Sequence, residues 1–307
     1  DVYKRQTMGR PGMNKKIVNS YLMADGSRFT DKAGYETMTF DQECQNRDPR
    51  LAQTIRTPGY TRIGSTKKEA PNLAYTMTGY HLIKYSMTAN YDEYNKSCND
   101  IPLFRTAEVY LNFAEAKAEL GTLKQADINK SIKLLRDRVG MTNLDMELAN
   151  SKPDPYLMSA ATGYPNVKGA NQGVILEIRR ERTIELAMEG FRYYDIMRWK
   201  EGKLFENDLL GIYVPGPGTY DLDKDGTDDV CFYVGTKPAG NVPLYLEIGE
   251  QIRLSNGESG YIICHSLITK KWNEDRDYLY PVPISERTLS NGVITQNPGW
   301  NDGLNFN

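Results

Sequence analysis

The stretch EIRRERTIELAMEGFRYYDIMRWK, residues 177–200, decides the fold of this chain. Its pattern predicts a helix from about Val174 to Glu189. Gly190 interrupts that helix, because glycine is a poor residue for a helix interior. A further helix is predicted from Phe191 to about Lys200. Two helices joined by one glycine are therefore the first elements to be placed.

Acidic side chains form a ridge along the first of these helices. They stand four residues apart, at Glu177, Glu181, Glu185 and Glu189. Each pair of like charges at this spacing costs roughly 0.2–0.5 kcal/mol in an isolated helix, so compensating cations are expected. The cations available on the two helices are Arg179, Arg180, Arg182, Arg192 and Arg198. We interpret the ridge as part of a structural Arg–Glu network that fixes the two helices around Gly190.

Two functional alternatives exist for the same ridge. It could supply a carboxylate pair for glycoside hydrolysis or oxygen ligands for a metal ion. Arginines close to every candidate acid would keep the pKa of that acid low, which is unsuitable for a general acid. The pattern therefore favours the structural interpretation.

Two more amphipathic helices precede the decisive stretch. The first is predicted over roughly Arg105 to Leu120 and the second from about Ala126 to Val139, each ending at a glycine. A short connection between two such helices is typical of an αα-hairpin. Each helix has one apolar face, so the pair needs further helices to cover it, as in tetratricopeptide-type stacks.

The remaining chain is irregular. Residues 1–100 and 203–260 are rich in turn-forming residues and predict long loops, short strands and hairpins. A further strand is predicted from Tyr261 to Ile268.

The composition limits the possible functions. Among the 307 residues, Lys and Arg total 38 and Asp and Glu total 40, a net charge of −2, which argues against a nucleic-acid binder. No apolar run approaches the roughly 18 residues of a membrane span. The 21 tyrosines suit wet binding surfaces.

The N-terminus and the cysteines give weaker signals. Residues 1–16 begin without a methionine, and we expect them to be a non-core or artefactual start. The spacing of Cys44, Cys98, Cys231 and Cys264 matches no zinc pattern, which leaves free thiols or one or two disulfides. With only two histidines, a histidine-rich metal site or a His-based catalytic triad is not expected.

Residues 221–229 read DLDKDGTDD and predict a calcium loop. Alternate carboxylates let a turning backbone direct several oxygens to one centre, and Ca²⁺ takes about 6–8 oxygen ligands. The predicted ligands are Asp221, Asp223, Asp225, the Thr227 carbonyl and Asp229. Position 12 of an EF-hand would be Phe232 and not glutamate, so a structural Ca²⁺ in an isolated loop is expected. The alternative is a solvated acidic turn.

Four motifs in register resemble the SusD/RagB family, the nutrient-binding outer-membrane lipoproteins of Bacteroidetes. They are RDPRL at 47–51, IPLFRTAEVYLNFAEA at 101–116, the stretch 177–200, and YLYPVPISE at 278–286 followed by TQNPGW at 295–300. Ile101 and Phe191 depart from the residues that the family usually has there, and both departures read as packing changes.

The resemblance implies a mainly α fold with tetratricopeptide-like helical pairs, long irregular loops and a few short β-hairpins. Residues 1–307 would form one C-terminal region of a longer protein whose N-terminal half, with its lipid anchor, is missing here. That protein would be a cell-surface outer-membrane lipoprotein that binds oligosaccharides and delivers them to a SusC-type TonB-dependent transporter. It would not be an enzyme. The alternatives are a tetratricopeptide-like protein–protein scaffold, a glycoside hydrolase, or a peptide-binding member of the same family.

Aromatic residues in the irregular N-terminal segment are the candidates for contact with a glycan. Tyr35, Phe40 and Tyr60 could stack on sugar rings, and Arg62 is the proposed partner for sugar hydroxyls. The alternative for each of them is loop packing.

Overall fold

The computed structural model describes residues 9–93, 95–96, 98–301 and 303. Helices account for most of the regular structure in that part of the chain, which confirms a mainly α fold. The α-helices are α1 Lys15–Ser20, α2 Phe40–Glu43, α3 Pro49–Thr54, α4 Thr106–Glu119, α5 Gln125–Asn129, α6 Ile132–Asp137, α7 Met146–Ser151, α8 Pro155–Met158, α9 Gln172–Glu185, α10 Phe191–Arg198 and α11 Ile284–Leu289.

Six short strands form two three-stranded sheets between α10 and α11. The strands are β1 Leu209–Val214, β2 Gly218–Tyr220, β3 Val230–Tyr233, β4 Tyr245–Glu247, β5 Leu254–Asn256 and β6 Ser259–Cys264. One sheet has the antiparallel order β1-β6-β5. The other has the order β2-β3-β4, in which β3 and β4 are parallel. The strand predicted from Tyr261 corresponds to β6, which begins two residues earlier.

The buried apolar residues of the described structure form two large cores and one small cluster, and α9 contributes to both large cores. One contains apolar residues of segment 13–82 together with the inner faces of both sheets, including Val18, Ile212 and Phe232. The other lies among the helices, where α9 packs against α4 and α7. Ala114 and Ala118 of α4 are buried there, and their small side chains allow close approach of the neighbouring helix. The amphipathic pattern predicted for α4 is thereby confirmed.

Two predicted helices differ from the structure. The second helix of the predicted hairpin is interrupted, because Ser131 leaves helical geometry and its hydroxyl donates to the Asp127 carbonyl at 2.7 Å. Serine often bonds to nearby backbone in this way and so competes with helix. The helix of the acidic ridge ends at Glu185, because Met188 and Gly190 both have positive φ. Glu189 therefore lies in the turn that follows α9.

The N-terminal boundary predicted at residue 16 needs a correction. Residues 1–8 lie outside the described residues. Met13 is only 5% exposed and belongs to the first core, and the buried ammonium of Lys15 pairs with Glu43. A buried ion pair and a core side chain are structural features, so the core already includes Met13 and Lys15.

The four cysteines are free thiols in the described structure. Cys231 and Cys264 are buried, Cys44 is partly buried and Cys98 is exposed. Burial raises the pKa of the Cys264 thiol to about 11, which keeps it protonated at neutral pH.

Candidate functional site

The acidic ridge is neutralised by arginines from distant parts of the chain. Glu181 is completely buried, and both Arg50 of α3 and Arg136 of α6 pair with it; the Arg136 Nε lies 2.8 Å from its Oε2. Burial alone would raise the pKa of Glu181, but the two guanidinium groups outweigh it and bring the pKa to about 2. Glu181 is therefore a permanent anion at the centre of a structural network.

The next two glutamates of the ridge have the same kind of partners. The Glu185 carboxylate binds Arg50 at 3.0 Å, Arg105 at 2.8 Å and Arg138 at 2.9 Å. Glu189 pairs with Arg105 at 2.6 Å and with Lys84. Burial opposes ionisation of Glu185, yet Arg105 and Arg50 lower its pKa. The predicted Arg–Glu network is confirmed, and its cations come mainly from outside the two helices.

The arginines of the two helices themselves have other partners. The Nε–H of Arg182 is shared between the two carboxylate oxygens of Asp195, at 2.8 and 2.7 Å, which ties α9 to α10 across the Gly190 turn. Arg198 pairs with Glu115 of α4 at 2.8 Å. Arg192 was expected in the network but instead donates to the hydroxyls of Tyr164 at 2.6 Å and Thr183 at 3.1 Å. The prediction that Arg192 pairs with a carboxylate was wrong, because Arg192 lies in the first turn of α10, where its side chain reaches Tyr164 and Thr183.

Three of the four candidate glycan residues are occupied by contacts within the protein. Phe40 is 2% exposed and packs on Tyr80 in the core, so its nomination is corrected: the buried ring has no free face for a sugar. Tyr35 is partly buried and makes edge contacts with Phe29 and Tyr156. Arg62 donates to the Met87 carbonyl at 2.7 Å and pairs with Asp92, so it holds two loops together.

The fourth candidate, Tyr60, lies beside an open cavity. The guanidinium of Arg56 covers its ring at 5.3 Å, and its carbonyl accepts from the Glu69 N–H at 2.9 Å. Thr61 and Lys68 form an isolated antiparallel bridge. These contacts fold segment 56–69 back on itself and present residues 67–75 to the cavity.

We call this cavity the 56–75 cleft. It has a volume of about 540 Å³ and is lined on one side by Arg56 and residues 67–75, and on the other by the 221–229 loop with Pro243 and Leu244. Arg56 binds Glu69 at 3.0 Å, which fixes the first wall. Tyr75 is 48% exposed in the cleft. Cations, carboxylates, an amide and one open aromatic ring thus converge on a space that fits a small polar ligand.

The predicted calcium ligands come together only in part. Asp221, Asp223 and Asp225 place one carboxylate oxygen each within 4.8 Å of the others. Asp229 lies outside that group and accepts from the Leu222 N–H at 2.8 Å, and Thr227 lines the cleft. Burial, reinforced by Asp223, raises the pKa of Asp229 to about 6. Three converging carboxylates suit an oxygen-seeking cation, and calcium binding stays a prediction.

Sequence reasoning missed Arg56, Lys68 and Tyr75 as cleft residues. Each is an ordinary residue type in a loop without periodicity, and the opposite wall lies about 150 residues further along the chain. The available signal was the density of charged and aromatic residues in segment 56–75.

No helix in the described part of the chain has the length and the apolar character that crossing a bilayer requires.

Comparison with known proteins agrees with this architecture. A SusD-like protein from Bacteroides fragilis NCTC 9343 is 22% identical with a TM-score of 0.56, covering 94% of this chain and 47% of that one. A SusD-like carbohydrate-binding protein from the same strain is also 22% identical, with a TM-score of 0.55, and covers 90% of this chain and 47% of that one. The chain thus spans about half the length of both structures, and at this identity the likeness concerns the fold.

No curated protein matches the chain. The family model described as the SusD family matches residues 2–300, which is nearly the whole sequence. The match includes all four motifs that resemble this family, together with the arginine-neutralised ridge and the 56–75 cleft. The chain therefore belongs to the SusD family.

Proposed function

We propose that this chain binds carbohydrate without catalysis, in the 56–75 cleft, as part of a nutrient-binding protein at the outer-membrane surface. In this proposal the bound oligosaccharide passes to a SusC-type TonB-dependent transporter. Family membership carries the proposal. A similar structure that is described as carbohydrate-binding supports it.

The chemistry of the cleft suits a polyhydroxylated ligand. Sugars offer hydroxyl groups that both donate and accept, and C–H faces that stack on aromatic rings. The Lys68 ammonium and the Glu69 carboxylate provide a donor and an acceptor on one wall, and the Asp225 carboxylate provides an acceptor on the other. The exposed ring of Tyr75 provides a stacking surface.

The carboxylates of the ridge favour binding over hydrolysis. Glu181 has a pKa of about 2, so it holds no proton to give to a leaving group at neutral pH. Glu201 is the opposite case: burial raises its pKa to about 7, although Arg179 opposes the shift. Its side chain is nearly inaccessible and bound to Arg179 at 3.3 Å, so a polysaccharide does not reach it.

The proposal is tested by affinity electrophoresis against starch, xylan, arabinogalactan and pectin, followed by calorimetry with oligosaccharides of the retained polymer. Replacing Tyr75 by alanine should weaken binding about tenfold, the value of one aromatic stacking contact of about 1.4 kcal/mol. Tyr91→Ala is the matched control, because Tyr91 is 41% exposed but does not line the cleft.

Equal affinity of the Tyr75 and Tyr91 variants would remove the cleft from the proposal. Release of reducing ends from the retained polymer would contradict binding without catalysis and favour a hydrolase. Retention by none of the four polymers, together with binding of peptides, would favour the peptide-binding alternative.

A further inference from the structure

A second group of aromatic side chains lies away from the 56–75 cleft, where α10 and the following turn meet segment 272–280. We call it the tyrosine platform. Its members are Tyr193, Tyr194, Phe205, Trp272, Tyr278 and Tyr280. Neighbouring ring centroids are 5.0–5.7 Å apart from Tyr194 to Tyr278, so these rings form one chain of edge and tilted contacts. Tyr280 joins the group through the hydrogen bond between its hydroxyl and that of Tyr193.

The base of the platform is rigid. Trp272 packs so closely on Gly202 that a Cβ there would lie 2.0 Å from the indole, and the Gly202 N–H donates to the Tyr278 hydroxyl at 2.9 Å. The backbone N–H of Trp272 donates to the Glu206 carboxylate at 2.8 Å. The inner rings of the platform are therefore already ordered before a ligand binds, which removes part of the cost of association.

The outer rings of the platform are open to solvent. Tyr194 and Tyr280 are each 64% exposed. The Tyr280 hydroxyl donates to the Tyr193 hydroxyl at 2.9 Å, which leaves the Tyr193 proton to donate outward. Aromatic faces combined with hydroxyl donors match the two kinds of group that a pyranose ring presents, namely a C–H face and hydroxyl oxygens. A purely apolar partner would gain nothing from the phenol pair.

We propose that the tyrosine platform is a second carbohydrate-contact surface, on which a pyranose unit of a long glycan stacks against Tyr194 and Tyr280. The proposal rests on the carbohydrate-binding function proposed above and adds a site that shares no residue with the cleft. Two contacts on one chain raise the affinity for a polymer more than that for a short oligosaccharide, because the second contact becomes intramolecular.

The experiment uses three platform variants, Tyr194→Ala, Tyr280→Ala and the double variant that combines them. They are compared with the cleft variant Tyr75→Ala. Affinity electrophoresis with starch, xylan, arabinogalactan and pectin measures binding to polymers, and calorimetry with tetrasaccharides of the retained polymer measures binding of a short ligand. Tyr194→Phe keeps the ring and is the conservative control. Thermal melting checks the fold of each variant, and the exposed single variant Tyr194→Ala keeps the test open if the combination unfolds.

We expect the combined platform variant to lose about tenfold in polymer affinity and to keep its tetrasaccharide affinity, while Tyr194→Phe binds the polymer nearly as the parent does. Unchanged polymer retention of the combined variant would overturn the platform while leaving the proposed function intact. If the parent protein is retained by none of the polymers, the proposed function fails with it. Loss of tetrasaccharide binding in the platform variants would also overturn the proposal, because the two sites would then not be separate.

Discussion

The buried anion Glu181 provides the sharpest test of the structural network. In Glu181→Gln the side chain keeps its shape but loses its charge. Arg50 retains Asp48 at 2.7 Å and Glu185 at 3.0 Å. Among the described residues, Arg136 has no other carboxylate partner; it keeps the Thr142 carbonyl at 3.2 Å and becomes a buried cation without a counter-charge. We therefore expect a large loss of stability that arises mainly at Arg136.

The magnitude follows from the pKa of Glu181. Its pKa falls from an ordinary 4.5 to about 2 in the folded protein, which corresponds to about 3 kcal/mol of stabilisation at pH 7. Breaking a buried ion pair typically costs about 3–5 kcal/mol, in agreement. Because the folded pKa is depressed, the contribution is complete above pH 4.5 and is lost as the pH falls towards 2. At pH 3 about 1.4 kcal/mol should remain.

Urea unfolding at pH 7, 5, 4 and 3 measures this difference between the parent and Glu181→Gln. Glu258→Gln is the matched control, because Glu258 is exposed in the turn between β5 and β6. The control should change the free energy of unfolding by less than about 0.5 kcal/mol. A loss below 1 kcal/mol at pH 7, or a loss that does not shrink between pH 5 and pH 3, would refute the assignment of Glu181 as a permanently ionised structural anion.

Three further predictions concern other charged groups. Glu185→Gln should cost about 3 kcal/mol in stability, and Arg192→Ala about 1 kcal/mol, because Arg192 loses hydroxyl partners only. Both variants should keep their glycan affinity, and loss of glycan binding in a folded variant would contradict the structural role of these residues. EDTA-stripped protein should bind millimolar Ca²⁺ in calorimetry, weakly in Asp225→Asn and normally in Asp228→Asn, because Asp225 belongs to the three converging carboxylates. Absence of heat and of any shift in melting temperature would exclude the ion. Because the folded pKa of Glu201 is raised to about 7, its contribution to the free energy of unfolding should fall as the pH rises from 4.5 to 7. In urea unfolding, Glu201→Gln should therefore lose less stability than the parent over that pH range. Equal dependence of the free energy of unfolding on pH in the two proteins would contradict the raised pKa.

The sequence by itself determined the local elements of this protein. Periodicity placed α4 within a residue or two at each end, and Gly190 separated α9 from α10 as predicted. The four-residue spacing of the glutamates required compensating cations, and cations are there. Such signals are local, since side chains three or four residues apart share a helix face whatever surrounds them. Four short motifs in register were sufficient to identify the SusD family.

Only the tertiary structure decided which residues meet. Arg50 reaches Glu181 across 131 positions of the sequence, and the interruption at Ser131 is invisible to periodicity. Phe40 and Tyr75 are both aromatic residues of irregular segments, yet one is buried in the core and the other opens into the 56–75 cleft. Whether a loop side chain is buried depends on the segments that pack over it, and those segments come from distant parts of the chain. The two proposed carbohydrate surfaces have the same origin, because each is assembled from segments that become neighbours only after the chain has folded.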